Sequence, residues 1–201
     1  MTRRVSAILL AAGASRRMGR PKPLLPVGDR PSVVRCVETL RHAGVAEVVV
    51  VVAAGATGDA VARAVTPLGA TVTTNPDAGS DMAGSIRVAL AAADPSASGV
   101  LVALCDHPLV ATETVSALCA EHAQHPDAIL VPVYEGCKGH PTLFPWTILN
   151  EIATLPTLRD VVRKDPARVR EIDVGDEGVV LEMDTPEEYA RLLSRLPANP
   201  G

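Results

Sequence analysis

A three-layer α/β/α architecture, Rossmann-like and built on a mostly parallel sheet, is the fold class that this sequence predicts. Three observations predict it. Short aliphatic runs alternate along the chain with segments carrying helix signals, the pattern of strands in one sheet with helices on both faces. Hydrophobic residues make up 47% of the chain and aromatics only 2%, so the core must be aliphatic, and its Val-rich runs suit strands covered on both sides. At 201 residues the chain can bury a large core, and no repeat, low-complexity tract or linker divides it. One domain over residues 1–201 is expected, with 197–201 as a frayed tail.

The elements follow in order. Val5 to Ala11 is a short apolar run ending in Ala-Gly, a buried strand. A loop rich in Gly, Ser and Arg runs to Lys22. A helix fits Pro31 to Ala43, with Pro31 near its start and Gly44 beyond its end. Glu47 to Ala53, almost pure Val, is a second strand; Asp59 to Val65 is helical; Ala70 to Thr74 is a β-branched strand. Asn75-Pro-Asp-Ala-Gly is a loop by its turn chemistry. Met82 to Ala93 is a helix, and Gly99 to Leu104 a strand that stops at Cys105-Asp106-His107-Pro108. Thr112 to Ala123 is helical with Thr112 as its N-cap. Ala128 to Val133 is a strand, Tyr134 to His140 a turn-rich excursion, and Trp146 to Ala153 and Leu158 to Arg163 are short helices. Arg168 to Val174 and Val179 to Glu182 complete the strands. Pro186 to Leu196 is the last helix, capped by Thr185, with Glu187 and Glu188 in its first turn, where the helix dipole favours acids.

Charge and cysteine usage exclude several function classes. A net charge of −4 argues against a duplex nucleic-acid partner. Cys36, Cys105, Cys119 and Cys137 show no C-x-x-C spacing, so they read as ordinary packed or surface thiols in a reducing cytoplasm. No apolar stretch reaches the roughly 20 residues that span a bilayer. The basic start followed by an apolar run is broken early by Gly13, Arg16 and Arg17, unlike a signal peptide.

In sheets of this kind ligands sit at the carboxyl ends of strands. After the first strand comes Leu10-Ala11-Ala12-Gly13-Ala14-Ser15-Arg16-Arg17-Met18-Gly19-Arg20-Pro21-Lys22. Small residues let backbone N–H groups turn toward an anion, and the Arg and Lys side chains add positive charge. The spacing is neither a Walker A loop nor G-x-G-x-x-G, so a phosphate site and a solvated basic loop both fit. Asp106 ends an apolar strand, where a lone buried carboxylate is costly and a hard cation is a natural partner. Asp184, in Met183-Asp184-Thr185-Pro186, reads equally as a second ligand to Mg²⁺ or as a helix-start acid. His42, His122 and His125 fall on expected surface helices with nothing to group them as ligands, and Trp146 reads as a packing residue.

Together these segments resemble a known family. Leu10-Ala-Ala-Gly-x-Ser-x-Arg-Met-Gly-x-x-Lys with Leu24-Leu25-Pro26, then Asp106-His107-Pro108, Gly139-His140-Pro141 and Asp184-Thr185-Pro186, are similar in order and spacing to the nucleotidyltransferases related to molybdenum cofactor cytidylyltransferase and guanylyltransferase. The first motif is specific to them; the later three are weak singly and strong together. The resemblance implies the nucleotide-diphospho-sugar transferase version of the fold. It implies nucleotide binding by the main chain of Leu10, Ala11, Ala12, Gly13, Ala14 and Ser15, with Arg17 and Lys22 on the triphosphate and Ser85 near the base. Asp106 and Asp184 would hold Mg²⁺, Lys22, Arg17 and Asp106 would carry catalysis, and His140 and Lys138 would face the acceptor. Ala12 goes with cytidine, hence CTP as substrate and molybdopterin as acceptor, with a molybdoenzyme as possible client and no membrane or nucleic-acid partner. Two residues depart from the pattern: Asp81, in Asp81-Met82-Ala83-Gly84-Ser85, and Lys138, where Arg often precedes Gly-His-Pro. A sugar-phosphate nucleotidyltransferase and a non-catalytic cofactor-binding protein are the alternatives on the same scaffold.

Overall fold

The computed structural model describes residues 4–13, 15, 17–77 and 79–196. Its elements are β1 (Val5–Ala11), β2 (Pro26–Val27), β3 (Arg30–Pro31), α1 (Ser32–His42), β4 (Glu47–Ala53), α2 (Ala56–Val65), β5 (Thr71–Asn75), α3 (Met82–Ala92), β6 (Gly99–Leu104), α4 (Thr112–Gln124), β7 (Ile129–Tyr134), β8 (Cys137–Lys138), β9 (Thr142–Pro145), α5 (Trp146–Leu149), α6 (Leu158–Arg163), β10 (Val169–Asp173) and α7 (Pro186–Leu193). The main sheet runs β10-β7-β9-β6-β1-β4-β5, with β8 paired to β7. Only β9 and β8 run antiparallel to their neighbours. The three layers and the mostly parallel sheet are as the alternating pattern predicts.

Successive residues of the central strands face opposite layers, as strand geometry requires. Ala7 and Leu9 of β1 and Val48, Val50 and Val52 of β4 pack with α1, α2 and α4. Ile8, Val49 and Val51 face the other way, onto Ile86 and Ala89 of α3 and onto Leu149, Leu158 and Val161. The chain winds from β1 outward to β4 and β5, then returns through α3 to place β6 on the other side of β1. The reversal lies between β1 and β6, so the loops leaving those two strands open onto the switch point where α/β sheets bind ligands.

Four expectations are corrected. The strand expected over Val179 to Glu182 is a 3-10 turn, Glu177–Val179, and irregular chain. Its backbone bonds go elsewhere: the carbonyl of Val179 accepts the N–H of His140 at 2.9 Å rather than joining a ladder. Thr112 is not the N-cap of α4. Ala111 holds that position without a side-chain cap, and Asp176 satisfies the helix start, accepting from the Ala111 N–H at 2.8 Å and the Thr114 hydroxyl at 2.7 Å. His122 is buried, not on the surface; its Nε2 lies 3.2 Å from the Ser98 hydroxyl and its ring fills the space a side chain on Gly99 would need. Strand β9, preceded by Pro141, ending in Pro145 and buried at all four residues, was not expected at all.

Within the turn-rich excursion a tight hairpin joins β7 to β8, with positive φ at Glu135 and Gly136, the geometry of a type I′ turn. A third, smaller cluster of Met18, Leu25, Val27, Met183 and Leu192 clamps the loop after β1 to α7. Tyr189 of α7 adds a hydrogen bond from its hydroxyl to the carbonyl of Pro26. Trp146 packs on the α3 side of the sheet. No helix among the described residues is long and apolar enough to cross a membrane.

Candidate functional site

The loop leaving β1 is shaped by Ser15 and Gly19, both at positive φ. For Ser15 this conformation costs of order 1 kcal/mol or more and needs support. Its carbonyl accepts the Gly19 N–H at 3.1 Å, and its hydroxyl accepts the Lys22 N–H at 3.0 Å. Ser15 therefore fixes the start of the short 3-10 turn Lys22–Leu24, from which the Lys22 side chain points inward. The loop leaving β6 is held from two sides. The Cys105 N–H donates to Leu10 at 3.2 Å, and the buried Ser32 hydroxyl donates to the Cys105 carbonyl. Asp106 follows directly.

Asp184 comes from the far end of the chain. Its own N–H and that of Thr185 both donate to Glu188 at 2.9 Å, while the Thr185 hydroxyl accepts the Glu188 N–H at 3.2 Å. This capping box, with Thr185 as N-cap as the sequence predicts, sets the start of α7. The apolar clamp through Met18 and Met183 then brings Asp184 to the loop after β1 without a strand beneath it.

These segments meet at Lys22. Its Nζ lies 2.6 Å from Asp106 Oδ2 and 2.5 Å from Asp184 Oδ1. One ammonium bridges the two carboxylates, so these oxygens are no farther apart than the sum of those contacts. The exposed Arg17 guanidinium pairs with the other Asp184 oxygen. Burial disfavours the Lys22 charge, but the two carboxylates outweigh it and raise its pKa above 10.5. Asp184 is held below the usual carboxylate range, first by the Lys22 hydrogen bond and further by the Lys22 and Arg17 charges. The remaining oxygen, Asp106 Oδ1, is buried with no hydrogen-bond partner. Such an oxygen suits a hard cation. No cluster of three or more His, Cys, Asp or Glu able to hold a metal occurs among the described residues, so an ion here would take its other ligands from water and a substrate.

Two cavities flank this cluster. The first, about 190 Å³, is lined by Leu10, Ala12, Gly13, Ser15, Lys22, Ser85 and Asp106, among others. Ala11 is instead buried in the core beneath it, and Ala14 lies outside the described residues. Ser85 is fixed by Asn75, whose amide donates to its hydroxyl at 2.9 Å with both residues buried. The second cavity, about 720 Å³, opens between β7, β9 and α6 and is lined by His140 and Lys138, among others. Asp81 and Met82 line both, so only the start of α3 separates them. Asp81 has a structural task as N-cap, accepting the Gly84 N–H at 2.8 Å.

Sequence reasoning missed residues on the larger cavity. Its apolar wall includes Val131 and Phe144, and Arg159 stands at its rim. Lys138 is already tied to Glu171 at 2.7 Å, whereas Arg159 makes no ion pair, which makes it the cation open to an anionic ligand. The only sequence signal for Arg159 was its place at the start of a short helix. Asn75 stood in the sequence only as the first residue of a turn. His107 and His140 stack at 5.3 Å between centroids behind Asp106. Burial lowers the pKa of His107, and burial with the neighbouring His107 lowers that of His140 to about 4, so both are neutral near pH 7. The buried thiols are equally inert: Cys36 is pushed up to about 12 by burial.

Comparison with known proteins completes the description. A family model described as the MobA-like NTP transferase domain matches residues 7–170. Over 94% of its length the chain is 33% identical to a nicotine blue oxidoreductase of Paenarthrobacter nicotinovorans, matching 96% of that protein. It is also 33% identical, again over 94% of its length, to a 2-C-methyl-D-erythritol 4-phosphate cytidylyltransferase of Frankia casuarinae, of which it spans 61%. Among solved structures, Rv0371c of Mycobacterium tuberculosis superposes with a TM-score of 0.82 at 32% identity, over 96% of this chain and 99% of that one. A manganese complex of Rv0371c superposes at 0.77 with 30% identity, over 96% of this chain and all of that one.

Proposed function

Because the chain belongs to the MobA-like NTP transferase family, a nucleotidyltransferase family on the nucleotide-diphospho-sugar transferase fold, we propose that it moves CMP from CTP onto the phosphate of a molybdopterin-type acceptor in the presence of Mg²⁺. The observation that carries this reading is the meeting of Lys22 with Asp106 and Asp184 at the edge of the cavity formed by the loop after β1. Ala12 lines that cavity at the position which the sequence resemblance ties to cytidine, and the Frankia relative is a cytidylyltransferase. Rv0371c was solved as a complex with manganese, which supports a divalent ion in the reaction of this chain. On this reading the enzyme works in the cytoplasm and hands its product to a molybdoenzyme.

In the reaction an oxygen of the acceptor phosphate attacks the α-phosphorus of the triphosphate. The bond from that phosphorus to the α–β bridging oxygen breaks, and pyrophosphate leaves with the electron pair. The nucleophile is already anionic at neutral pH, so no strong general base is required, in keeping with the neutral, buried histidine pair. What the chain must supply is alignment and charge. The loop amides from Leu10 to Ser15 receive the phosphates. Lys22 and Arg17 balance the charge growing on the leaving pyrophosphate. Asp106 and Asp184 are the residues that would hold Mg²⁺, whose chemistry there is to neutralise phosphoryl oxygens. His140 and Arg159 orient the acceptor in the larger cavity.

The likeness to nicotine blue oxidoreductase favours a second reading, redox chemistry on the same scaffold. One experiment separates the two. The protein is supplied with each of the four ribonucleoside triphosphates, Mg²⁺ and either molybdopterin or a set of sugar phosphates, and pyrophosphate is measured. Release with CTP and molybdopterin is the expected result. Release with sugar phosphates alone would move the acceptor to that class. No release under any condition, with reduced pyridine nucleotide consumed by a dye instead, would establish the redox reading.

A further inference from the structure

Three of the four carboxylate oxygens of Asp106 and Asp184 are engaged by the protein's own cations. Lys22 Nζ takes one from each residue, at 2.6 and 2.5 Å, and Arg17 takes a second from Asp184. The Lys22 and Asp side chains are 14–18% exposed, so the contacts are sheltered from water. Mg²⁺ sits about 2.0–2.1 Å from its oxygen ligands. An ion shared by both aspartates through the oxygens that now face each other must therefore stand almost where the Lys22 ammonium stands. Two cations do not share one seat.

We infer that Lys22 is an internal counter-ion that occupies the divalent-ion position and leaves it only when a polyphosphate offers its ammonium another anion. The inference rests on the nucleotidyl-transfer reading and concerns how that site is loaded. Lys22 also lines the nucleotide cavity, beside Gly13 and Ser15. Its backbone is fixed by the Ser15 hydroxyl, while the side chain beyond it is a flexible four-carbon stem. Rotation of the stem carries the ammonium from the carboxylates toward the phosphates without moving the loop, a motion for which lysine, a compact point charge on a flexible chain, is suited. Arg17, 71% exposed, leaves Asp184 at small cost. Asp106 Oδ1, buried and without a hydrogen bond, is the one oxygen of the four that neither Lys22 nor Arg17 engages.

The consequence is an order of loading. A divalent ion alone competes with Lys22 and binds weakly; a triphosphate alone can draw Lys22 away only by leaving two bare carboxylates beside its own charge. Together, each removes the obstacle to the other, and the coupling is reciprocal. The protein thus avoids holding a bare metal and keeps its two carboxylates neutralised between turnovers.

The test measures Mn²⁺ binding to the full-length protein by electron paramagnetic resonance and calorimetry, with and without a non-hydrolysable CTP analogue. In the wild type the analogue should tighten Mn²⁺ by about tenfold or more, within the usual range of such couplings. Lys22→Met should bind Mn²⁺ alone about tenfold more tightly than wild type, although its turnover falls. Lys22→Gln, which keeps hydrogen-bond donors for both carboxylates, repeats the measurement if the Met variant does not fold. Equal or weaker Mn²⁺ binding in the variants would overturn the inference while leaving nucleotidyl transfer intact. Absence of Mn²⁺ binding to every protein, even with the analogue, would remove the metal site itself and the inference with it.

Discussion

Asp106→Asn is the sharpest test of how this site works, because the change keeps the side-chain shape and removes one charge. Asp106 contributes Oδ2 to Lys22 at 2.6 Å and the unpartnered Oδ1 to the place a cation would fill. Unit charges about 4 Å apart interact by about 4 kcal/mol at an effective dielectric of about 20, a suitable value for a part-buried pair. Losing an interaction of that size in the transition state corresponds to about 10³ in kcat. The stability cost is much smaller. The asparagine still fits, Lys22 keeps Asp184, and a loss near 1 kcal/mol lowers Tm by about 2–4 °C in a domain of this size. The assay is pyrophosphate release over a Mg²⁺ titration, with a thermal melt of the same sample. A kcat within threefold of wild type, a barrier change below about 1 kcal/mol, would refute the assignment of Asp106. A large fall in Tm with the same loss of activity would mean the residue holds the fold and not the ion.

Three further predictions address the acceptor side and stability. Arg159→Gln should raise KM for the acceptor by about tenfold, or about 1.4 kcal/mol, and leave KM for CTP unchanged, whereas Lys138→Gln should change either by less than about threefold because the Lys138 ammonium is largely exposed and screened by water and by Glu171; the reverse ranking would return the acceptor contact to Lys138. Gly139→Ala should cost on the order of 2–3 kcal/mol in urea unfolding, since a Cβ there meets the Val179 carbonyl at 2.3 Å, and a loss under about 0.5 kcal/mol would show that this contact yields easily. Stability should fall on acidification. His140, ordinarily near 6.5 and about 4 in the fold, favours the native state above pH 6.5 and loses that contribution as pH drops toward 4, and Asp184, also lowered, acts in the same direction at lower pH. By pH 5 the His140 share is about 2 kcal/mol, so His140→Gln should flatten the denaturation-midpoint curve between pH 7 and 5; an unchanged slope would contradict the role of His140.

What was legible in the sequence and what was not divides along physical lines. Strands β1, β4 and β6 begin and end where their patterns predict because short, nearly all-aliphatic runs admit few alternatives, and helix α6 does so because Thr157 and Asp160 cap its start. The loops after β1 and β6 could be placed at one site from strand order alone, since both leave the sheet at its reversal. Strand β9 was illegible because four buried residues, preceded by Pro141 and ending in Pro145, carry neither a period nor a length that marks a strand. Val179 to Glu182 misled in the opposite sense: an apolar run was buried by contact with the Gly139–His140 segment instead of by a ladder. His122 looked exposed because its helix is polar elsewhere, and only the missing side chain of Gly99 makes room for it. Arg159 could not be found because its significance lies in lacking an ion partner, a property of the assembled cavity and not of any spacing.

The two cavities also differ in what built them, and this bears on where specificity resides. The nucleotide side is formed by the ends of β1 and β6 and the start of α3, where the two strands belong to the parallel part of the sheet. These are the segments whose motifs carry the resemblance, and their geometry follows from the winding of the chain. The acceptor side is formed by β7, the antiparallel β8 and β9, and α6. Its wall joins polar side chains such as His140, Thr157 and Arg159 to Phe144, the single phenylalanine of the chain. A replacement within β8, β9 or α6 alters the acceptor cavity without disturbing Lys22, Asp106 or Asp184, because none of the three is carried by those elements. Acceptor choice is therefore separable from phosphoryl chemistry in this fold, and substitutions at Phe144 or Arg159 should change which acceptor reacts while the dependence on triphosphate and metal stays as it was.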